Sequence, residues 1–372
     1  PTVDSKLYEP EILPVISQCI PVCFGHDLLV QEFLHVDHEI NVSGVCLDQD
    51  VIVPGLIRKT HIAKNHVGIA LAGEMISFDR YGDLREKVVS LLKQFRYVGM
   101  FDVELNVVGD KIYFNEVDLR SDIHSDAYLK NGVNLPALFV KGILGEGHSL
   151  DEETIREYGK SFVNVKAAWE DYFNGYMTKE ELDQIVNQAD HQLLFDEDDP
   201  AVHKQFWKRI HHIENRRHMK KLKYRFKHAA ISFVLGVLQA LFQYPQTKRG
   251  NQRNPESEKP RVIVSGRNYA SNLCLARAFG KAGYEVEVLR IYQKLPRYKR
   301  FLGMLHPDAY SKYIKAHHVC VTHGRSLNLV NKLCELADPN RKMLLIPADD
   351  LVASIVDEYY NELKELYVIP NV

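Results

Sequence analysis

Three carboxylates and an arginine recur at period-two spacing in FRYVGMFDVELNVVGDKIYFNEVDLRSD, residues 95–122. Glu104 and Glu116 stand twelve residues apart on what read as two adjacent strands, and Asp118 and Arg120 follow Glu116 at steps of two. An oxygen-only ligand set of this kind suits a hard cation such as Mg2+, with substrate phosphates filling the remaining positions. An arginine beside it would neutralise charge on a transferring phosphoryl group. The alternative is a solvated hairpin face carrying ordinary surface acids.

Positioning these groups requires a hairpin. MFDVELNVV and KIYFNEVDL are joined by Gly109-Asp110. Period-two counting puts Phe101, Val103 and Leu105 on one face and Asp102, Glu104 and Asn106 on the other. Upstream, LLVQEFL (28–34), EINVSGVCLD (39–48) and VIVPGLI (51–57) read as short strands, and 82–95 as an amphipathic helix. GVNLPALFVKGILG (132–145) reads as a buried helix opening at Pro136. Residues 150–245 show few strand signals and several helices, one starting near Pro200. The stretch 208–227 holds nine Lys or Arg against one Glu and leads into fourteen mostly apolar residues, 229–242. That run is shorter than the ~20 apolar residues a membrane span needs. A basic helix leading into a buried one is the preferred reading, and a weak membrane-surface contact through 208–242 is the option kept beside it. His211, His212 and His218 lack metal-ligand spacing. Residues 245–260, with three prolines and no large apolar side chain, read as a linker. From 261 onward strand and helix alternate, the pattern of a parallel sheet with helices on its faces.

The chain of 372 residues carries a formal net charge of −2, so no global field points to nucleic acid or membrane. Its six cysteines form no CxxC pair, which argues against a disulfide framework or zinc site and for reduced thiols in the cytoplasm.

YVGMFDVEL followed by YFNEVDLR resembles the metal-binding hairpin of the ATP-grasp superfamily, which includes biotin carboxylase, the carbamoyl-phosphate synthetase large chain and D-aspartate ligase. The resemblance implies that Glu104, Glu116 and Asp118 bind Mg2+ (or Mn2+) with ATP, and that Arg120 meets the phosphorylated intermediate. Asp118 stands where the family usually has Asn, and SDIHSDAY lacks the glycine pair of the ligase branch. LLVQEFLHVDHEINVSGV resembles the family's interlobe hinge, which implies Gln31, Glu32, Phe33 and Leu34 at the adenine edge and Glu39 on the ribose hydroxyls. Lys59 in LIRKTH reads as a surface lysine, with a phosphate contact as the alternative. Residues 261–372 resemble the small domain that precedes the ATP-grasp fold; Gly266 follows its first strand, but SGRNYA lacks the later glycines of a dinucleotide site.

Three units are therefore expected: 1–148, the α+β large lobe of an ATP-grasp domain; 149–260, a helical region and linker; and 261–372, an α/β parallel-sheet, Rossmann-like domain. The ATP-binding small lobe is missing and Pro1 opens the chain, so the order predicts a window of a tandem ATP-grasp protein, with that lobe elsewhere in the parent. The implied activity is an ATP-dependent carboxylate–amine ligase passing through an acyl phosphate, with small-molecule or peptide acids and amines as substrates and no nucleic acid partner. A non-catalytic remnant serving as scaffold or nucleotide sensor is the alternative.

Overall fold

The computed structural model describes residues 34–48, 50–65, 68–225, 259–294 and 306–369. Expectations for Gln31, Glu32 and Phe33, for the apolar run 229–242 and for most of the linker fall outside them.

The first half is built on an eight-stranded sheet. Its strands are β1 (His38–Cys46), β2 (Val51–Ile52), β3 (Leu56–Ile62), β4 (Ala70–Ile76), β5 (Gly99–Val108), β6 (Lys111–Asp118), β7 (Ser161–Asn164) and β8 (His191–Leu193). The order is β6-β5-β1-β3-β4-β7-β8, with β2 beside β1. The expected single strand at 51–57 is interrupted at Val53–Gly55, where Pro54 has no N–H to give to a ladder. The true strand starts at Leu56 and carries Lys59 into the sheet.

Alternation in β5 sends Phe101, Val103 and Leu105 to a buried face, where with Ile40 and Val42 of β1 they pack under Leu84, Val88 and Leu92 of α1 (Leu84–Phe95). Leu84, Val88 and Leu92 recur every four residues, one stripe of an amphipathic helix. The opposite face of the hairpin is the polar one. It is partly roofed by α2 (His124–Lys130) and α3 (Leu135–Ile143), the latter capped by the Asn134 side chain and opening at Pro136.

The segment with few strand signals contributes two. β7 pairs with β4 and β8 with β7, so residues 161–193 extend the same sheet. Both are too short, at four and three residues, to show a period. Around them α4 (Val165–Asn174), α5 (Lys179–Gln188) and α6 (Pro200–Arg225) form a separate cluster with Trp169, Leu182, Phe206 and Ile210 at its centre.

The second half is a five-stranded sheet of order β11-β10-β9-β12-β13 in which every neighbouring pair is parallel. Its strands are β9 (Arg261–Gly266), β10 (Glu285–Tyr292), β11 (Ile314–Val321), β12 (Met343–Pro347) and β13 (Tyr367–Val368). Helices α7 (Tyr269–Lys281), α8 (Ser326–Leu336) and α9 (Asp350–Glu358) cross between them, as the alternating pattern required.

The halves share a core. Phe139 and Leu138 of α3 lie in one apolar cluster with Leu275 and Phe279 of α7, and Leu194 and Val202 lie in another with Tyr269 and Leu273. Between these clusters Arg277 donates from Nε to Asp199 Oδ2 at 3.0 Å and from Nη1 to the Leu194 carbonyl at 2.7 Å. Asp199 also accepts from Ser311 Oγ at 2.6 Å and the Lys312 N–H at 3.0 Å. Among the described residues no helix is long and apolar enough to cross a membrane.

Candidate metal and nucleotide site

Register decides what the hairpin acids can do together. Glu104 lies directly opposite Glu116, and Asp102 opposite Asp118. On the other side of β5, β1 sets Asn41 against Glu104 and Ser43 against Asp102. Because the side-chain period is two, all six groups emerge on one face. Twelve residues separate Glu104 from Glu116, yet Leu105 pairs with Phe114; Asn115 is thus the extra residue of a bulge that brings Glu116 back into line.

The face grades from a closed end to an open one. Asp102, 1% exposed, accepts from Asn41 Nδ2 at 2.5 Å and Ser43 Oγ at 2.6 Å. Burial works to raise its pKa, but charged His124 and these two donors overcome it and hold the carboxyl below its usual range. His124 is itself buried. Desolvation pulls against its charge, yet Asp122, 2.5 Å from Nδ1, and Asp102, 3.9 Å away, push its pKa up to about 10. Asp102, Asp122 and His124 thus form a compact group whose ligand-type atoms all lie within 4.8 Å of one another.

Lys59 corrects the surface reading. Its side chain is wholly buried, donating from Nζ to Glu39 Oε2 at 2.8 Å and the Gly68 carbonyl at 2.7 Å, with Glu104 Oε1 at 3.3 Å. Burial opposes its charge, but Glu104, Glu39 and Asp102 outweigh burial and raise its pKa. The acid expected at the ribose and one expected at the metal are therefore tied through a single ammonium. Alternation alone did not reveal this, because Leu56 and Ile57 are both apolar and leave the face of Lys59 open.

At the open end Asp118 ion-pairs with Arg120 Nη2 at 3.0 Å, and Arg120 reaches across to Asp350 at the start of α9. Burial, reinforced by Asp102, Asp350 and Glu116 and opposed by Arg120, pushes the Asp118 carboxyl up to about 7. A desolvated carboxyl beside other acids regains its charged form when a divalent cation sits against it. Glu104, Glu116 and Asp118 are oxygen donors of the type a hard cation takes, and they share one face; among the described residues, however, the one trio whose ligand-type atoms lie within 4.8 Å of one another is Asp102, Asp122 and His124.

Glu39, Glu104, Glu116, Asp118 and Arg120, all expected from the sequence, share this face or its rim. Leu34 is half-buried and lies ahead of β1, outside any strand, and Gln31, Glu32 and Phe33 lie outside the described residues. Asp102, Asn41, Ser43 and His124 were not singled out as site residues. Asp102 sits two before Glu104 and so was legible; His124 comes close only because the chain turns back at Ser121–Ile123 into α2.

Three of the solved structures to which the chain is similar show the range of the likeness. An N5-carboxyaminoimidazole synthase from Aspergillus clavatus, in complex with ADP and 5-aminoimidazole ribonucleotide, shares 18% identity at a TM-score of 0.34 over 41% of each chain. An N5-carboxyaminoimidazole ribonucleotide synthetase from Thermus thermophilus shares 19% at 0.32 over 41% of each. The Aspergillus clavatus synthase complexed with ATP shares 17% at 0.33 over 40% of each. The chain thus spans about two fifths of the length of the structures it matches. No family model matches it.

Proposed function

We propose that this chain is the acid-bearing part of an ATP-grasp carboxylate–amine ligase. The observation that carries the reading is the direct cross-strand pairing of Glu104 with Glu116 and Asp102 with Asp118, with Arg120 bridging from that face to Asp350. Glu104, Glu116 and Asp118 would hold Mg2+, which when bound supplies neutralisation of the ATP phosphates. Lys59 holds Glu104 and Glu39 in place, and Asn41 and Ser43 fix Asp102 behind them. Glu39 is assigned to the ribose hydroxyls.

The reaction runs in two displacements. A carboxylate oxygen of the first substrate attacks the γ-phosphorus; the bond to the bridging oxygen of ADP breaks and an acyl phosphate forms. Arg120 steadies the charge on the transferring group. The amine nitrogen then attacks the acyl carbon, the C–O bond to phosphate breaks, and the proton that the nitrogen loses passes to the departing phosphate as the amide forms. No covalent enzyme intermediate is needed; positioning and electrostatics do the work.

Glu116→Gln, assayed in the full-length protein, is expected to abolish amine-dependent phosphate release while the fold survives. Phosphate release that persists in the variant, or is absent from the wild type, removes the assignment. A second reading has one observation in its favour: Lys59 already neutralises Glu39 and Glu104. In that reading the chain is a non-catalytic nucleotide sensor or scaffold, and it binds ATP without turnover.

A further inference from the structure

The closed end of the acid face holds a group that the ligase reading does not use. Asp102 lies on β5, Asp122 in the turn after β6, and His124 is the first residue of α2. Their ligand-type atoms all lie within 4.8 Å of one another. The imidazole gives this group a different chemistry from the oxygen-only set Glu104, Glu116 and Asp118. Nitrogen beside carboxylate oxygen suits Zn2+ and its first-row neighbours, whereas Mg2+ takes oxygen and keeps several waters.

His124 is the telling side chain. It is 4% exposed, and neither Nδ1 nor Nε2 makes a hydrogen bond. Asp122 Oδ2 stands 2.5 Å from Nδ1, and Asp102 Oδ1 stands 3.9 Å from it. A buried imidazole without hydrogen bonds costs free energy, and an ion shared with the two carboxylates removes that cost. Asn41, buried on the same face, likewise leaves its Oδ1 without a hydrogen bond while its Nδ2 donates to Asp102. It offers a fourth oxygen donor.

Charge and geometry agree with a cation here. Two carboxylates and an imidazolium sum to one negative charge. A divalent cation with a neutral imidazole brings the sum to zero, the imidazole proton passing to solvent on binding. Tetrahedral Zn2+, with bonds of about 2.0–2.2 Å, sets its ligand atoms about 3.3 Å apart. The 2.5 Å separation must therefore open and the 3.9 Å one close, each by less than about 1 Å. The carboxylates are already held: Asp102 by Ser43 Oγ at 2.6 Å, and Asp122 by the His124 N–H, which donates to Oδ1 at 2.8 Å. Such outer hydrogen bonds orient metal ligands. The Phe162 ring, 6.1 Å from that of His124, shields the inner side, and Asp122, with a side chain 16% exposed, leaves a path for entry.

We infer that Asp102, Asp122 and His124, with Asn41 beside them, bind a divalent transition-metal cation of the Zn2+ type, which pins the turn after β6 to β5. The inference stands apart from the ligase reading: it requires neither ATP nor turnover, and Glu116 and Asp118 are not among the ligands.

The test uses the full-length protein, stripped of metal with a chelator and held in millimolar Mg2+ to occupy oxygen-only sites. Co2+ is the probe, because its visible absorption is far stronger in a four-coordinate site than in a six-coordinate, oxygen-only one. The expected result is absorption that saturates at one Co2+ per chain and is abolished by one equivalent of Zn2+. His124→Gln and Asp122→Asn each weaken binding at least tenfold, whereas Glu116→Gln leaves it intact. Asp122→Asn keeps an Oδ1 to accept from the His124 N–H, so it decides the matter if His124→Gln does not fold. No saturable Co2+ signal, affinity unchanged in Asp122→Asn, or a loss in Glu116→Gln as large as that in Asp122→Asn overturns the inference. Cation binding in a protein that shows no phosphate release sinks the ligase reading alone; phosphate release without cation binding sinks this one alone.

Discussion

Arg277→Met is the sharpest probe of whether the two halves act as one body. The Arg277 side chain is 0% exposed and that of Asp199 1%. Removing the guanidinium deletes the 3.0 Å ion pair and the 2.7 Å bond to the Leu194 carbonyl. It leaves a buried carboxylate with only Ser311 and the Lys312 N–H as donors. Breaking a buried pair from one side costs about 3–5 kcal/mol, because the surviving charge keeps its desolvation penalty. Asp199→Asn strands the guanidinium and is expected to cost a similar amount. The double variant removes both charges, so its loss is expected to fall short of the sum of the singles by about 2–3 kcal/mol, the coupling of a directly contacting pair. Urea denaturation measures all three. Both tryptophans lie in the first half, whereas far-UV circular dichroism reports both halves. In the wild type the two signals are expected to change together, and in Arg277→Met the dichroism is expected to begin its change at lower urea than the fluorescence. A single-variant cost below about 1 kcal/mol, or wild-type transitions already separated, would refute the claim that this junction is a shared core.

Three further outcomes follow from the acid face. Lys59→Met removes the ammonium shared by Glu39 and Glu104, and is expected to destabilise by about 3 kcal/mol in the absence of divalent cations, part of it regained in millimolar Mg2+; wild-type stability in urea would show the lysine is not paired. Glu104→Gln is expected to weaken Mn2+ binding at least tenfold by calorimetry with stability little changed; unaltered affinity would place the cation elsewhere. His124 has its folded pKa raised from 6.5 to about 10, so the stability it contributes is complete below about pH 6.5 and is lost as pH rises towards about 10. Melting temperatures between pH 7 and 10 should therefore fall more steeply for the wild type than for His124→Gln, and parallel slopes would mean that His124 is neutral in the fold.

The local grammar of this chain is plain in its sequence. Alternation in VELNV and the Gly109-Asp110 turn specify the hairpin and its two faces, because a strand's side-chain period is a property of the backbone. The spacing of Leu84, Val88 and Leu92 specifies the helix that covers the apolar face, and strand–helix alternation after 261 specifies a parallel sheet. Tertiary structure alone decided the rest. The bulge at Asn115 sets which acids face each other, and it arises from cross-strand pairing that no single strand encodes. Lys59 reads as one more polar residue until β3 is laid between β1 and β4 and seals it against Glu39 and Glu104. The strand at Ser161–Asn164 exists because β4 offers an edge to pair with, and the one at His191–Leu193 because Ser161–Asn164 then offers the next. The cavity of about 610 Å³ lined by Arg120, Ile213 and Arg290 has no signature in the chain at all: its walls come from residues 120, 166–213 and 267–349, which are brought together by the packing of α7 against α3.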